Sequence, residues 1–441
     1  MVPMTAKKES VSATATVGPA KGLRGTVTVP GDKSISHRAV MLGGIAEGTT
    51  VVQGFLEGAD NLSTIDAFRA MGIVIERHGA LLKVHGKGLF GLKEPDDVID
   101  AGNSGTTARL ITGILSVQPF FSVITGDESL RTRPMRRVTA PLIEMGAMIS
   151  GRNGGSLLPL AVNGARLKGM VYSMPVASAQ VKSCLLLAGL YAEGKTTVTE
   201  PGKSRDHTER MLRLFGADIK DDGLSVTIKQ AKVLKGCAVT VPGDISSAAF
   251  LMVGAMITDD SELLIKDVGV NPTRRGVIDI LNRMGGDIEL LNERSISNEP
   301  VADILVRTSS LKGVDISREE LLPAIDEFPV ISVAAAFAEG TTTVCGAGEL
   351  RVKESDRLAA MAGALSCLGV GCVESKDGIT IEGTGRGSVN SCVIESLNDH
   401  RIAMAAAIAA LRSKAGITIT GAGSVDVSFP GFFGLLEGLK A

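Results

Sequence analysis

Five apolar runs in this sequence are preceded directly by polar and charged residues of types that bind small anions. These residues are Lys33-Ser34-Ile35-Ser36-His37-Arg38, Asn103-Ser104-Gly105, Ser178-Ala179-Gln180, Asp326-Glu327 and Asn398-Asp399-His400-Arg401. A long apolar run predicts a buried helix. The first turn of a helix has free N–H groups and a partial positive charge, so it attracts phosphates and carboxylates. If these helix starts face one cleft, that cleft suits a phosphorylated ligand.

Further cations are concentrated in four other short segments. They are Arg131, Arg133 and Arg136 in SLRTRPMRR, Arg205 in SRDHTER, Arg274 and Arg275 in NPTRR, and Lys353 and Arg357 in VKESDR. The whole chain has 46 Lys and Arg against 48 Asp and Glu, a net charge of −2. Such local clusters in a nearly neutral chain predict a small polyanionic ligand. Ser246 and Ser247 are interpreted only as helix caps, because serine is common at that position.

The elements that must position these residues repeat six times. Each unit has a helix-length apolar run and then a short β-rich run, and in the first five units an amphipathic helix follows that ends at a glycine. The apolar runs are SISHRAVMLGGIAEG, NSGTTARLITGILS, SAQVKSCLLLAGLYAEG, ISSAAFLMVGAMI, DEFPVISVAAAFAEG and DHRIAMAAAIAALRS. A helix that is apolar on all sides is buried. The repeats therefore predict an α/β protein with helices inside and sheets outside.

One phrase, VTVPGD, occurs twice, at Val27 and again at Val239. In each copy alternating residues predict a strand, and Pro-Gly ends it. The two copies separate the six units into three and three, which predicts two domains with a double hinge. We expect one domain at 32–243 and the other at 1–31 plus 244–441, with crossings near 30–31 and 242–243.

Composition excludes several other classes of protein. The chain has 441 residues, 44% hydrophobic and 3% aromatic, with no Trp, which disfavours nucleic-acid binding. The six cysteines form no CxxC pair and there is no HExxH, so we expect buried, reduced thiols and no metal. No apolar run is long enough to span a bilayer. The first 22 residues lack the apolar h-region of a secretory signal and predict a flexible tail. We therefore expect a cytoplasmic protein, and we also expect a monomer.

Nine motifs occur in an order that carries a resemblance to a known family. They are VPGDKSISHR, DAGNSGTTARL, GDESLRTRPM, VASAQVKS, SRDHTE, NPTR, IDEFP, RVKESDR and NDHRIAM. Over about residues 25 to 435 the chain resembles the 5-enolpyruvylshikimate-3-phosphate synthases. The spellings GDKS, SAQVK, RDHTE and NPTR are similar to the second sequence class of that family.

The resemblance implies a fold and a reaction. The fold is a two-domain inside-out α/β barrel of six βαβαββ repeats, three in each domain. The reaction transfers the enolpyruvyl group of phosphoenolpyruvate to the 5-hydroxyl of shikimate 3-phosphate and releases phosphate, as a step of aromatic amino-acid biosynthesis. It proceeds by addition and elimination, and the family implies neither cofactor nor metal.

The resemblance also implies residue roles. Shikimate 3-phosphate would be held by Lys33, Ser34, Arg38, Ser178, Ala179, Gln180, Arg205, Asp326 and Lys353. Phosphoenolpyruvate would be held by Lys33, Gly105, Arg133, Gln180, Arg357 and Arg401. Asp326 would accept the proton of the 5-hydroxyl, Glu354 would transfer the proton at C3, and Lys33 would contact both ligands. Some members have a lysine where this chain has Val427, and no role is assigned there.

Two other functions stay open at this point. One is the related transferase that acts on UDP-N-acetylglucosamine. That family has a loop cysteine before its arginine motif, whereas no cysteine occurs here before Cys184. The other is a non-catalytic module that binds phosphorylated ligands on the same repeats. Such a module would not need the carboxylates Asp326 and Glu354.

Overall fold

Each of the six apolar runs forms a helix, and a mixed sheet accompanies each helix. The structure, a computed structural model, describes residues 13–441. Up to residue 230 the elements are β1 (Ala15–Val17), β2 (Arg24–Thr28), α1 (Lys33–Ile45), β3 (Glu47–Gln53), α2 (Ala59–Ala70), β4 (Val74–His78), β5 (Leu81–Lys87), β6 (Ile99–Asp100), α3 (Gly105–Leu115), β7 (Phe121–Thr125), α4 (Arg136–Glu144), β8 (Met148–Gly151), α5 (Arg152–Gly155), β9 (Leu157–Asn163), β10 (Val171–Ser173), α6 (Ala179–Gly189), β11 (Lys195–Thr199), α7 (His207–Leu214), β12 (Ile219–Asp222) and β13 (Ser225–Lys229).

The rest of the chain repeats this order of elements. It forms β14 (Ala238–Thr240), α8 (Ile245–Ile257), β15 (Glu262–Gly269), α9 (Gly276–Arg283), β16 (Asp287–Ile296), β17 (Glu299–Arg307), β18 (Asp315–Ile316), α10 (Arg318–Leu321), α11 (Phe328–Ala336), β19 (Thr341–Cys345), α12 (Arg357–Cys367), β20 (Gly371–Ser375), β21 (Gly378–Glu382), β22 (Val393–Glu395), α13 (His400–Ala410), β23 (Ile417–Thr420) and α14 (Phe432–Leu439). Short 3₁₀ turns lie at Leu130–Thr132, Leu322–Glu327, Gly348–Val352 and Ala422–Val427. None of the helices in the described part of the chain is long and apolar enough to cross a membrane.

The sheets share one pattern. In β6-β7-β9-β8 the first two strands are parallel and the other pairs are antiparallel, and four other sheets have the equivalent order. The first helix of each unit is almost wholly buried, as the apolar runs predict; every residue of α8, for example, is buried. The second helix ends at the predicted glycine in the first five units. Gly72 after α2, with φ 81°, has the left-handed conformation that ends helices.

Two strands are exchanged between the halves of the chain. The sheet of the first unit takes β14 as its edge strand, and the sheet of the fourth unit takes β2. Each copy of VTVPGD therefore completes a sheet in one half and leads into a buried helix of the other half. The repeated phrase belongs to these two crossings of the chain.

The two crossings also pair with each other. The main-chain N–H of Asp32 donates to the carbonyl of Pro242 at 2.8 Å, and the N–H of Asp244 donates to the carbonyl of Pro30 at 2.9 Å. The buried apolar residues form two separate cores on either side of this junction. The first core takes residues from 35 to 241, and the second takes 17–29 and 245–439.

The N-terminal segment departs from its prediction. A flexible tail was expected over residues 1–22, of which 1–12 lie outside the described residues. Residues 15–17 form strand β1, which pairs antiparallel with β23 and completes the sixth sheet. The prediction is wrong there because β23 offers a free edge, and Ala15 and Val17 bring apolar side chains to the second core.

Substitution of Gly31 tests the packing at the crossings. A Cβ atom at Gly31 would overlap the carbonyl oxygen of Gly54. Because backbone cannot move aside cheaply, we expect Gly31→Ala to lower stability by about 1–3 kcal/mol. A matched control is Gly434→Ala within α14, where a Cβ would meet no atom within 4 Å. The control should leave the melting temperature unchanged or raise it, since alanine favours helix. Equal melting temperatures for Gly31→Ala and the unsubstituted protein would contradict this packing.

Candidate active site

A cleft of about 440 Å³ lies between the two cores, at the starts of the buried helices. That volume suits a small-molecule ligand. The predicted site residues that line it are Lys33, Ser34, Gly105, Arg133, Ser178, Ala179, Gln180, Arg205, Asp326, Lys353, Glu354, Arg357 and Arg401. They come from segments that span most of the chain, and the fold brings them together.

Side-chain caps shape the helix starts at the cleft. Asp32 caps α1 by accepting from the N–H of Ile35 at 2.8 Å, and Ser104 caps α3 by accepting from Thr107 at 3.1 Å. Ser178 caps α6, where it accepts from Val181 at 3.4 Å. Each of these residues therefore caps a helix whose first residue lines the cleft.

Asp326 is the carboxylate at the centre of the cations. Arg205 donates to it across the cleft. From the second core, Lys353 Nζ and Arg357 Nη1 each lie 3.4 Å from Asp326 Oδ1, and Arg274 Nη1 lies 3.9 Å from Oδ2. The Asp326 side chain is only 11% exposed. An incoming anionic ligand must therefore compete with Asp326 for these cations.

Arg357 organises a second group of carboxylates. Its side chain is 1% exposed, and Nε lies 2.8 Å from Asp399 while Nη2 lies 2.7 Å from Glu354. Burial alone would raise the pKa of Glu354, but the positive charges of Arg357 and Arg133 hold it well below its usual range. Glu354 is therefore ionised when no ligand is bound.

Ser246 is a site residue that sequence reasoning misread. The cap of α8 is Asp244, which accepts from the N–H of Ser246 at 2.8 Å. The Ser246 hydroxyl instead bonds to the buried side chains of Glu327, Arg274 and Arg401. The interpretation of Ser246 as only a helix cap is wrong, because the acidic residue before it already occupies that position.

Arg109 and Asp60 also line the cleft and were not singled out from the sequence. Arg109 Nη1 donates to Gln180 Oε1 at 2.8 Å, and Asp60 lies 2.6 Å from Lys33 Nζ. Burial lowers the pKa of Arg109 to about 10. Arg109 follows Gly105 by four residues, so it lies one turn further along the same helix face. Its spacing within the motif DAGNSGTTARL could therefore have predicted that it reaches the cleft. No comparable signal marks Asp60.

Arg38 does not reach the cleft surface. It is 4% exposed, and its guanidinium donates to Thr208 at 2.6 Å, to Ser183 at 2.8 Å and to the main-chain oxygen of Ser34 at 2.8 Å. These bonds turn the side chain away from the ligand space and place it behind Ser34. Direct binding by Arg38 stays a prediction, and its contacts are those of a support for Ser34.

Lys353 and His400, which also line the cleft, have strongly lowered pKa values as well. Burial, together with the nearby Arg357 and Arg205, lowers the pKa of Lys353 to about 7. Burial and Lys33 lower the pKa of His400 to about 3. His400 is therefore neutral near pH 7, whereas Lys353 changes charge there. For both groups burial is the larger cause and neighbouring cations add to it, so an anionic ligand would relieve the part that the cations contribute.

The cysteines depart from their prediction. Cys184 is buried as expected, but Cys345 and Cys367 are exposed and the other three are partly exposed. The apolar runs around these residues belong to outer strands and helix ends as well as to the core. All six thiols are free.

The fold has a counterpart at low sequence identity. The enolpyruvyl transferase NikO from Streptomyces tendae matches with a TM-score of 0.78 at 16% identity, over 97% of this chain and 98% of that one. With its two sets of three repeats and its cation-lined cleft, the chain has the inside-out α/β fold of the enolpyruvyl transferases, which confirms the predicted fold class.

Comparisons of sequence narrow the class further. Residues 17–436 match the family described as EPSP synthase (3-phosphoshikimate 1-carboxyvinyltransferase). A 3-phosphoshikimate 1-carboxyvinyltransferase of Geobacter metallireducens is 59% identical over 97% of this chain and 99% of that protein. An EPSP synthase structure from Acinetobacter baumannii is 49% identical with a TM-score of 0.87, over 97% and 98% of the two chains. The chain belongs to the EPSP synthase family, and the predicted resemblance is confirmed.

The low pKa of Lys353 predicts how stability depends on pH. In the unfolded chain lysine titrates near 10.4, whereas folded Lys353 titrates at about 7. Holding the proton therefore costs stability below pH 7, and the cost disappears as pH rises towards 10. We expect Lys353→Met to raise the melting temperature of the ligand-free protein at pH 6, with a difference that shrinks as pH rises from 7 to 9. A difference that grows with pH, measured by thermal denaturation, would contradict this placement of Lys353.

Proposed function

We propose that this chain transfers the enolpyruvyl group of phosphoenolpyruvate to the 5-hydroxyl of shikimate 3-phosphate and releases phosphate. Membership of the EPSP synthase family supports the reaction. The observation that carries the assignment of the site is the position of Asp326, a carboxylate among four cations from both cores. Neither the UDP-N-acetylglucosamine transferase nor a non-catalytic binding module is favoured by these relatives.

The two substrates divide the cleft between them. Shikimate 3-phosphate binds at Ser34, Ser178, Ala179, Gln180, Arg205 and Lys353, and phosphoenolpyruvate binds at Gly105, Arg133, Arg357 and Arg401, with Lys33 and Gln180 between them. Each substrate carries a phosphate and a carboxylate. Bringing four anionic groups together is unfavourable in itself, and guanidinium and ammonium groups offset that repulsion.

Two carboxylates move the protons. Asp326 accepts the proton of the 5-hydroxyl as the oxygen attacks C2 of phosphoenolpyruvate, and Glu354 gives a proton to C3. In the elimination Glu354 takes a proton back from C3 as phosphate leaves. The low pKa of Glu354 belongs to the ligand-free site. Anionic substrates bound to Arg357 and Arg133 raise this pKa, which favours the protonated form of Glu354.

We also propose that the two cores are domains that close on the substrates. The boundaries are those expected from the sequence, 32–243 and 1–31 plus 244–441, and the separate cores and the paired crossings support them. We propose that the protein acts as a monomer, as expected from the sequence. The cytoplasm, where both substrates would be available, is the proposed location.

Asp326→Asn tests the function and the role of this carboxylate together. The unsubstituted protein should release phosphate only when both substrates are present. Because asparagine keeps the shape but cannot accept the proton, kcat should fall by about 10²–10⁴-fold, with a much smaller change in KM for shikimate 3-phosphate.

A matched control for this variant is Glu349→Gln. Glu349 lines the same cleft and pairs with Arg137 at 3.0 Å in a partly exposed position. Exposed ion pairs contribute little, so kcat should stay within about twofold. A wild-type kcat for Asp326→Asn would remove Asp326 from the mechanism, and no phosphate release by the unsubstituted protein would overturn the function.

Gly105→Ala tests the donor pocket. A Cβ at this position would lie 2.6 Å from Arg109 Nη1 and 3.7 Å from Arg133 Nη1. The family resemblance implies that glyphosate, which is longer than phosphoenolpyruvate, occupies this space. Overpacking costs about 1–3 kcal/mol, and the longer ligand should lose more. The ratio of the glyphosate inhibition constant to the KM of phosphoenolpyruvate should rise. An unchanged or lower ratio in steady-state kinetics would contradict the assignment of Gly105 to the donor pocket.

A further inference from the structure

Lys182, the lysine of the SAQVK motif, lies behind the wall of the cleft on α6. Its ammonium is fully buried and lies 2.6 Å from Glu200 and 2.7 Å from Glu209, both of which are also fully buried. Burial alone would lower the pKa of Lys182, but the two carboxylates raise it, so it stays charged. A buried ion pair is often no more stabilising than apolar residues of the same volume. Stability alone therefore does not account for this group.

Ser204 connects the buried group to the cleft. Lys182 Nζ donates to the main-chain oxygen of Ser204 at 3.3 Å, and the Ser204 N–H donates to Glu200 Oε2 at 3.2 Å. The Ser204 hydroxyl donates to the same Glu200 oxygen. These bonds fix both main-chain polar groups of Ser204. The next residue is Arg205, which enters the cleft and reaches Asp326.

The same group contacts the other elements that carry ligand-binding residues. Ser183 and Thr208, the neighbours in sequence of Lys182 and Glu209, both accept from the guanidinium of Arg38. Arg38 in turn donates to the main-chain oxygen of Ser34. The starts of α1 and α6 and the segment before α7 thus share one buried, charge-balanced cluster of Arg38, Lys182, Glu200 and Glu209.

We propose that Lys182 is a positioning residue for the phosphorylated acceptor: it holds Ser204 through Glu200 and its own ammonium, and so sets the direction of Arg205. This inference rests on the proposed function, because Arg205 is placed at the shikimate 3-phosphate site. It assigns a role to the lysine of SAQVK and to the glutamate of RDHTE, neither of which lines the cleft.

A double-mutant cycle with Arg205 tests the inference. Lys182→Met with Glu209→Gln removes one positive and one negative charge, so the net charge of the buried group stays the same. Binding of shikimate 3-phosphate is measured by titration calorimetry. In the unsubstituted protein Arg205→Ala should weaken binding about tenfold or more, as expected for a charge-assisted bond. In the Lys182→Met/Glu209→Gln background the same change should weaken binding less than about threefold, since coupled residues are not additive.

The matched control is Lys203→Met, which also adjoins Ser204. Lys203 is partly exposed and bonds to Asp221 at 2.9 Å and to the main-chain oxygen of Gly223 at 2.7 Å, away from the buried cluster. In the Lys203→Met background Arg205→Ala should weaken the binding of shikimate 3-phosphate as much as it does in the unsubstituted protein. Should the double variant lose its folded circular dichroism spectrum, Glu200→Gln tests the same link with little change of shape.

The possible outcomes are distinguishable. An equal effect of Arg205→Ala in the Lys182→Met/Glu209→Gln and unsubstituted backgrounds would overturn the positioning role, because independent sites are additive. If Arg205→Ala also loses most of its effect in the Lys203→Met background, the positioning role is overturned as well. If the unsubstituted protein does not bind shikimate 3-phosphate at all, the proposed function fails instead.

Discussion

Repulsion between cations that share one cleft is the constraint on which the rest of this structure depends. Two like charges 4 Å apart near a protein surface repel by about 4 kcal/mol. Arg205, Arg274, Lys353 and Arg357 all lie within 4 Å of one carboxylate, Asp326. The protein tolerates this density because carboxylates stand among the cations. After burial, Arg357 and Arg205 are the main causes of the lowered pKa of Lys353, so repulsion between the cations persists and two anionic substrates can relieve it.

The inside-out arrangement adds to the positive charge of the cleft. With the sheets outside, the starts of the buried helices converge on the space between the cores, so main-chain N–H groups add to the positive potential. The two crossings have the same sequence, VTVPGD, because each must end a strand and begin a buried helix. The helices that follow differ, since the first copy supplies Lys33 and the second supplies Ser246, which supports Arg274 and Arg401.

Much of the fold could be predicted from the sequence, because repeats and apolar periodicity are local signals. Most of the predicted site residues line the cleft for the same reason, since short motifs carry them. What could not be predicted depends on contacts between distant residues. Arg205 and Asp326 are 121 positions apart, and Asp60 meets Lys33 only because α2 packs beside α1. Arg38 follows Ser34 by four residues in its motif, yet its bonds to Thr208 and Ser183 hold the side chain behind the cleft.

The most direct measurement is a crystal structure of the protein with shikimate 3-phosphate and glyphosate, which the family resemblance leads us to expect in the donor space. The account predicts the 5-hydroxyl within hydrogen-bond distance of the Asp326 carboxylate, with Arg205 released from Asp326 and bound to the acceptor. It places the phosphonate of glyphosate among Arg133, Arg357 and Arg401. A 5-hydroxyl that faces away from Asp326, or an acceptor bound outside the cleft between the cores, would contradict the account.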